Sequence, residues 1–226
     1  MRGSAAADRR EMMDPQVLRQ RRHDPPTRMG PGYWIVIKFF RLLLLAGWHL
    51  KAEGLDRLPP RGPFILTPNH ASEIDPIVLS AAMPFRVTYL AGQELDQYPL
   101  LFALIRLFNP IFVRRGVGDI GALKACLERL ARGEVLVVFP EGGVVQPGLG
   151  TLSEGAAFLA IRAQVPVVPV GLLGLTKMWP VSARFPRPSR VIVRIGEAIP
   201  PPPRDGPRTG ELIAQIRMTL DRLLER

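Results

Sequence analysis

Hydrophobic positions along this 226-residue chain fall into short apolar runs separated by longer segments with helical spacing. Phe64-Ile65-Leu66-Thr67, Val87-Thr88-Tyr89-Leu90-Ala91, Ile111-Phe112-Val113, Val135-Leu136-Val137-Val138-Phe139, Val165 to Leu172 and Ser189 to Ile195 predict strands. The unbroken apolar run at 135–139 has the character of a strand covered on both faces. Between these runs, residues 75–82, 98–107, 119–131 and 151–163 predict helices, with Pro76 well placed in a first turn. The tail from Gly210 to Arg226 repeats Leu212, Ile213, Ile216, Leu220, Leu223 and Leu224 at helical spacing, after a stiff linker at Pro200 to Pro203. Strands alternating with helices predict an α/β domain, a mixed and mostly parallel sheet flanked by helices.

The N-terminal part departs from this rhythm. Residues 1–30 mix charge, Pro and Gly without a sustained apolar period and read as a flexible basic arm. Acidic residues and the lack of a long apolar core argue against a secretory signal. Residues 31–52 hold the most hydrophobic stretch, yet Lys38 and Arg41 interrupt it. A span needs roughly 20 predominantly apolar residues, so this segment predicts an amphipathic helix lying in a membrane surface, its rings near the headgroups and its cations reaching towards phosphate. The alternative is a helix packed in the core. Residues 53–226 then form the main domain.

Charge changes the picture next. Lys and Arg number 30 against 20 Asp and Glu, a net +10 carried mainly by arginine, which implies a partner bearing phosphate or carboxylate. Nucleic acid, an anionic membrane surface and an acidic donor such as coenzyme A or acyl carrier protein all satisfy that. The dispersal of basic residues and the lack of a zinc-finger or aromatic-basic signature argue against nucleic acid. The single cysteine, Cys126, sits among Ala122, Leu123, Leu127 and Leu130 and reads as a core residue. One cysteine permits no internal disulfide, and His23, His49 and His70 stand too far apart for metal-ligand spacing, so no metal site is expected.

The candidate chemistry lies in Thr67-Pro68-Asn69-His70-Ala71-Ser72-Glu73-Ile74-Asp75-Pro76. His70 follows a strand, and Asp75 stands five residues on where a helix begins. Imidazole is the side chain best suited to take a hydroxyl proton near neutral pH, and a carboxylate on its other nitrogen fixes the tautomer. An N-terminal helix cap at Asp75 beside an incidental loop histidine is the plainer reading of those two residues alone.

Taken with Phe112-Val113-Arg114-Arg115, Phe139-Pro140-Glu141-Gly142 and Val165 to Val170, the segment resembles the four ordered blocks of the glycerolipid acyltransferases, especially bacterial 1-acylglycerol-3-phosphate acyltransferases. The resemblance runs from about Phe39 to Ile199. It implies that His70 is the general base and Asp75 its orienting carboxylate, with the acceptor hydroxyl attacking a thioester directly. It also implies that Asn69, Arg114, Arg115, Glu141 and Gly142 serve acceptor binding, Arg115 gripping a phosphate, and that Pro166 and Pro169 shape a strand beneath the site. No Ser or Cys stands in a nucleophile-elbow context. The expected activity is transfer of a fatty acyl group from acyl-CoA or acyl carrier protein, without cofactor or metal, to a lysophospholipid such as 1-acylglycerol-3-phosphate, in phospholipid biosynthesis or remodelling. The expected location is the cytoplasmic face of the cell membrane, peripheral or monotopic.

The chain also departs from those blocks. Many relatives continue the third block with glycine, threonine, arginine and serine, where this chain has Gly142 followed by Gly143, Val144 and Val145. Asn109 replaces a glycine before the second block, and Ser153 or Glu154 occupies a position that is commonly basic. Losing one charge-assisted contact costs about 1.5–3 kcal/mol, so Arg114, Arg115 or Lys177 substitutes, or the acceptor is a substituted lysophospholipid or glycolipid. A non-catalytic lipid-binding protein is the alternative from another class.

Overall fold

The computed structural model describes residues 31–93, 105–106, 108, 110–114, 119–145, 148–180, 185–203 and 209–225. The basic arm, most of the helix expected at 98–107, and Arg115 lie outside the described residues. In chain order the elements are α1 (Pro31–Trp48), β1 (Lys51–Glu53), a 3-10 turn (Leu55–Arg57), β2 (Phe64–Pro68), α2 (Asp75–Ala82), β3 (Thr88–Gly92), β4 (Ile111–Val113), α3 (Ile120–Ala131), β5 (Val135–Val137), α4 (Gly155–Ala163), β6 (Val167–Leu173), α5 (Leu175–Met178), β7 (Ile192–Ile195) and α6 (Thr209–Leu224).

The strands form one sheet in the order β1-β7-β6-β2-β5-β3-β4. Every neighbouring pair is parallel except β6 with β7. Alternation within the central strands divides the core in two. Phe64, Leu66, Val135 and Val137 face Tyr33, Ile37 and Leu44 of α1 and Val78 and Leu79 of α2. Ile65, Leu136 and Val138 face Cys126 and Leu130 of α3, Ala156 and Ala160 of α4, and Ile216 and Leu220 of α6. Each such side chain, fully withdrawn from water, contributes about 1.5–3 kcal/mol. That two-sided burial is why the strands read as unbroken apolar runs.

Several elements were not legible. The strand β1 is only Lys51-Ala52-Glu53, too short and polar to announce itself, and its pairing with β7 is reinforced by Arg194, whose Nε donates to Glu53 Oε2 at 3.0 Å. The same guanidinium donates through Nη1 to the carbonyls of Leu223 and Glu225, capping the end of α6. Helix α4 begins at Gly155 rather than Thr151, and β5 ends at Val137, which leaves Phe139 beyond the ladder.

The segment α1 packs one face in the core, as the second sequence reading expects, and leaves the other exposed. Tyr33, Ile37 and Leu44 are buried, whereas Trp34, Ile35, Phe39, Leu42, Leu43 and Leu45 are exposed, Ile35 and Leu42 by 70% and 68%. The two cations are not equivalent: Arg41 donates to the Ala81 carbonyl near the end of α2 at 3.2 Å, while Lys38 lies over the Trp34 ring at 5.6 Å. Among the described residues no helix is long and apolar enough to cross a membrane.

Because β2, β3, β4, β5 and β6 run the same way, their carboxyl ends lie along one edge of the sheet. In open α/β sheets that edge is where ligands bind.

Candidate active site

Thr67 and Pro68 finish β2, and the chain then leaves the ladder in a loop that Asn69 anchors. Its amide spans Leu172 of β6: Oδ1 accepts from the Leu172 N–H at 2.7 Å and Nδ2 donates to the Leu172 carbonyl at 3.3 Å. A side chain thus continues the β2–β6 ladder one step after the main chain departs. Asn69 is buried with both ends of its amide engaged, so the geometry makes it a positioning residue, in place of the acceptor contact expected of it.

His70 comes next, and its main chain is held from the other side by the segment after β5. The His70 N–H donates to Glu141 Oε1 at 2.9 Å, and its carbonyl accepts from the Val145 N–H at 2.9 Å. Glu141 Oε2 accepts from the Gly150 N–H at 3.0 Å, which closes the 141–150 loop on the same carboxylate. A Cβ on Gly150 would meet a Val145 methyl at 2.9 Å and Glu141 Oε2 at 3.1 Å, so a larger residue there must displace those side chains. Gly142 turns the loop at φ 72°, in the left-handed region that glycine enters without cost. Glu141 and Gly142, expected to serve the acceptor, here shape the 141–150 loop that holds the His70 main chain.

This arrangement makes a prediction. Glu141→Ala strands two main-chain donors of charge-assisted bonds, each worth about 1.5–3 kcal/mol. We expect the melting temperature to fall by roughly 5–10 °C and kcat to fall about tenfold through a misplaced imidazole. A rise in KM for the acceptor with unchanged stability would instead make Glu141 an acceptor ligand.

The imidazole itself meets Asp75, the first residue of α2. His70 Nδ1 lies 2.9 Å from Asp75 Oδ2, and that oxygen also accepts from the Ala71 and Ser72 N–H groups at 2.6 and 2.9 Å. The helix-cap reading does not hold, because the N-cap position is Ile74 and the Asp75 oxygen accepts from the loop before α2; the geometry is that of a carboxylate orienting the imidazole. Asp75 is fully buried, and burial raises its pKa above the usual carboxylate value despite the bonds from His70, Ser72 and Ala71 that favour the charged form. With the carboxylate ionised, Nδ1–H donates and Nε2 is left with its lone pair. The other side of the ring stacks on Phe139, centroids 4.1 Å apart at 27°.

The remaining expected residues are placed differently. Arg114 follows β4, is exposed, and has Nε 3.8 Å from Asp119 Oδ2. The Asp119 carboxylate also accepts from the Arg114 and Ala122 N–H groups and caps α3, which lowers its pKa. β4 stands three strands from β2, about 14 Å at the usual spacing. Lys177, exposed on α5, follows β6 and so stands beside the strand that carries His70. Cys126 is buried in the α3 core with its thiol pushed up to about 11 by desolvation, as befits a packing residue. The sequence reading passed over Tyr89, whose hydroxyl is buried against α2. A tyrosine within an apolar buried strand signals a required hydrogen-bond partner, and that was the available clue.

Fold and site together define an α/β protein with a buried His–Asp pair at the carboxyl edge of its parallel strands. The Acyltransferase family matches residues 49–173, which include every element of this site described above except α1 and α5, and the chain belongs to that family. It is 30% identical over 180 residues to mouse 1-acyl-sn-glycerol-3-phosphate acyltransferase alpha, covering 75% of this chain and 62% of that protein. It is 31% identical over 174 residues to the lyso-ornithine lipid O-acyltransferase of Rhizobium meliloti, covering 71% and 52% respectively. The chain thus spans less than two thirds of the length of these curated relatives. The crystal structure of the 1-acyl-sn-glycerophosphate (LPA) acyltransferase PlsC from Thermotoga maritima shares the fold, with a TM-score of 0.70, 24% identity, and 98% of this chain and 81% of that one covered.

Proposed function

We propose that this chain is an O-acyltransferase that moves a fatty acyl group from a thioester, acyl-CoA or acyl carrier protein, to the hydroxyl of a lysophospholipid such as 1-acylglycerol-3-phosphate. The observation that carries the reading is the His70–Asp75 pair. Nε2 of His70 takes the acceptor's hydroxyl proton as its oxygen bonds to the thioester carbonyl carbon. The tetrahedral species collapses with cleavage of the C–S bond, and the departing thiolate recovers the proton from His70. Asp75 stabilises the imidazolium formed between the two steps. The thioester is already activated, so alignment and proton transfer account for most of the work the protein does. Membership of the Acyltransferase family supports this chemistry, and the names of the relatives supply the acceptor class.

A second acceptor reading rests on Val144, which stands where many relatives have an arginine. A lysolipid with a substituted or non-phosphate head group needs no such cation, and two bacterial relatives are named lyso-ornithine lipid O-acyltransferases. Product mass spectrometry on mixed lysolipids, offered with acyl-CoA and with acyl carrier protein, decides between them. Acylation of lysophosphatidate at a rate equal to or above that of any other acceptor supports the first reading, and its exclusion from the products supports the second. No acylated product with either donor contradicts both.

The exposed face of α1 supports docking on an anionic membrane surface. Six large apolar side chains on one short helix exceed the scattered exposure ordinary for a surface. With Arg41 engaged on α2, Lys38 is the cation that α1 itself leaves to lipid phosphate. One basic residue at such a surface contributes about 1 kcal/mol, so Lys38→Gln is expected to weaken co-sedimentation with anionic vesicles about fivefold. Unchanged binding would leave that face without a lipid role.

A further inference from the structure

Tyr89 reaches the neighbours of the catalytic pair from two directions without touching the pair itself. Its ring lies at 16° to Phe139, centroids 6.4 Å apart, and Phe139 in turn stacks on His70, so the three rings form one column. Its hydroxyl reaches across to α2, 2.8 Å from the Pro76 carbonyl and 2.8 Å from Ser80 Oγ. A phenol has one proton. Tyr89 donates it to Pro76, and Ser80 then donates to the tyrosine oxygen. Pro76 and Ser80 are one helical turn apart on the same face of α2, and Pro76 directly follows Asp75. One side chain on β3 therefore clips the helical turn that presents the carboxylate and supports the ring that presents the imidazole.

We propose that Tyr89, with Ser80, is a positioning residue for the His70–Asp75 pair, fixing the carboxylate through its hydroxyl and the imidazole plane through its ring. The inference rests on the acyltransferase reading for its kinetic consequence but on geometry alone for its structural one. Tyr89 is buried, and burial, with smaller contributions from Tyr33 and Asp75, keeps its phenol well above the ordinary value, so the hydroxyl stays a donor at every pH at which the protein works. Ser80 is equally enclosed. Neither bond competes with water, so the hold on α2 is firm.

The test compares Tyr89→Phe, Ser80→Ala and Tyr89→Leu in the full chain by two readouts. The first is the low-field proton resonance of the His70 Nδ1–H, identified by 15N-histidine labelling and by its loss in His70→Ala. The second is kcat and KM for thioester and lysolipid. Tyr89→Phe keeps the stack and removes the clip: the resonance is expected to move upfield or broaden, and kcat to fall about tenfold with KM within about twofold, since small misplacement of a reacting group has effects of that order. Ser80→Ala should show the same pattern at about threefold, and it supplies the answer if the tyrosine variants do not fold. Tyr89→Leu, lacking ring and hydroxyl, should exceed both. An unmoved resonance and unchanged kcat in Tyr89→Phe, with only a lower melting temperature, would reduce Tyr89 to packing. If the wild-type chain transfers no acyl group, the functional reading fails while the resonance still decides whether Tyr89 holds the pair.

Discussion

Replacing His70 with alanine is expected to lower acyl transfer about a thousandfold and to leave the chain folded. The size follows from the role: a positioned general base contributes roughly 10²–10⁴ in rate. Retention of the fold follows from the geometry. The bonds that fix this position run through the His70 main chain, to Glu141 Oε1 and from Val145, and neither needs the imidazole. The ring's losses are its stack on Phe139 and one of three donors to Asp75 Oδ2. Thiol release from the donor, followed beside a melting curve, checks both halves. Turnover close to wild type would remove His70 from the mechanism, and a collapsed melting temperature would assign it to the scaffold.

Asp75→Asn separates activity from stability more sharply still. An amide oxygen in place of Oδ2 can accept from His70, Ala71 and Ser72 as the carboxylate does, but it cannot neutralise an imidazolium. Turnover is expected to fall by roughly two to four orders of magnitude, the range a positioned general base contributes. Stability should move the other way. Burial raises the Asp75 pKa in the folded chain, so its protonated form binds the native state better than its charged form does. The stability tied to that proton is fully present below the unfolded carboxylate pKa and is lost as pH rises through the raised folded value. Above that raised value the wild type carries an ionised, buried carboxylate that the asparagine variant lacks. We expect the variant to melt at the same temperature or higher near pH 7, with its advantage shrinking as pH falls from the raised folded value to the ordinary carboxylate value. Melting temperatures across that range are the check; a variant that is both inactive and markedly less stable at neutral pH would make Asp75 chiefly a structural anchor of the loop before α2.

That trade between stability and function explains why part of the site was legible in the sequence. A buried carboxylate five residues after a histidine, at a strand-to-helix junction, is chemistry the fold alone does not require, and it stood out beside the third block, Phe139 to Gly142. The sheet was legible for a related reason: strands covered on both faces are apolar throughout, as Val135-Leu136-Val137 shows. What stayed hidden depends on which atoms meet across long separations. Nothing in the order of residues says that Asn69 completes the ladder to Leu172, or that Glu141 spends both oxygens on the main chain of His70 and Gly150. A residue whose type suits a ligand suits a main-chain N–H equally well, and geometry alone distinguishes them. The same holds for α1, where composition posed membrane surface against core, and the helix packs one face in the core while leaving an apolar face exposed.

The pair 2.9 Å apart at His70 and Asp75 is read here as the base for direct attack by an alcohol, with no acyl group ever resting on the protein. Rapid mixing with the thioester donor alone, quenched and followed by free thiol and by the intact mass of the chain, tests this most directly. We predict no thiol burst and no mass gain until a lysolipid is added, after which thiol and acylated lipid appear together in equal amounts. A burst with donor alone, matched by a mass increase of one acyl group, would contradict it.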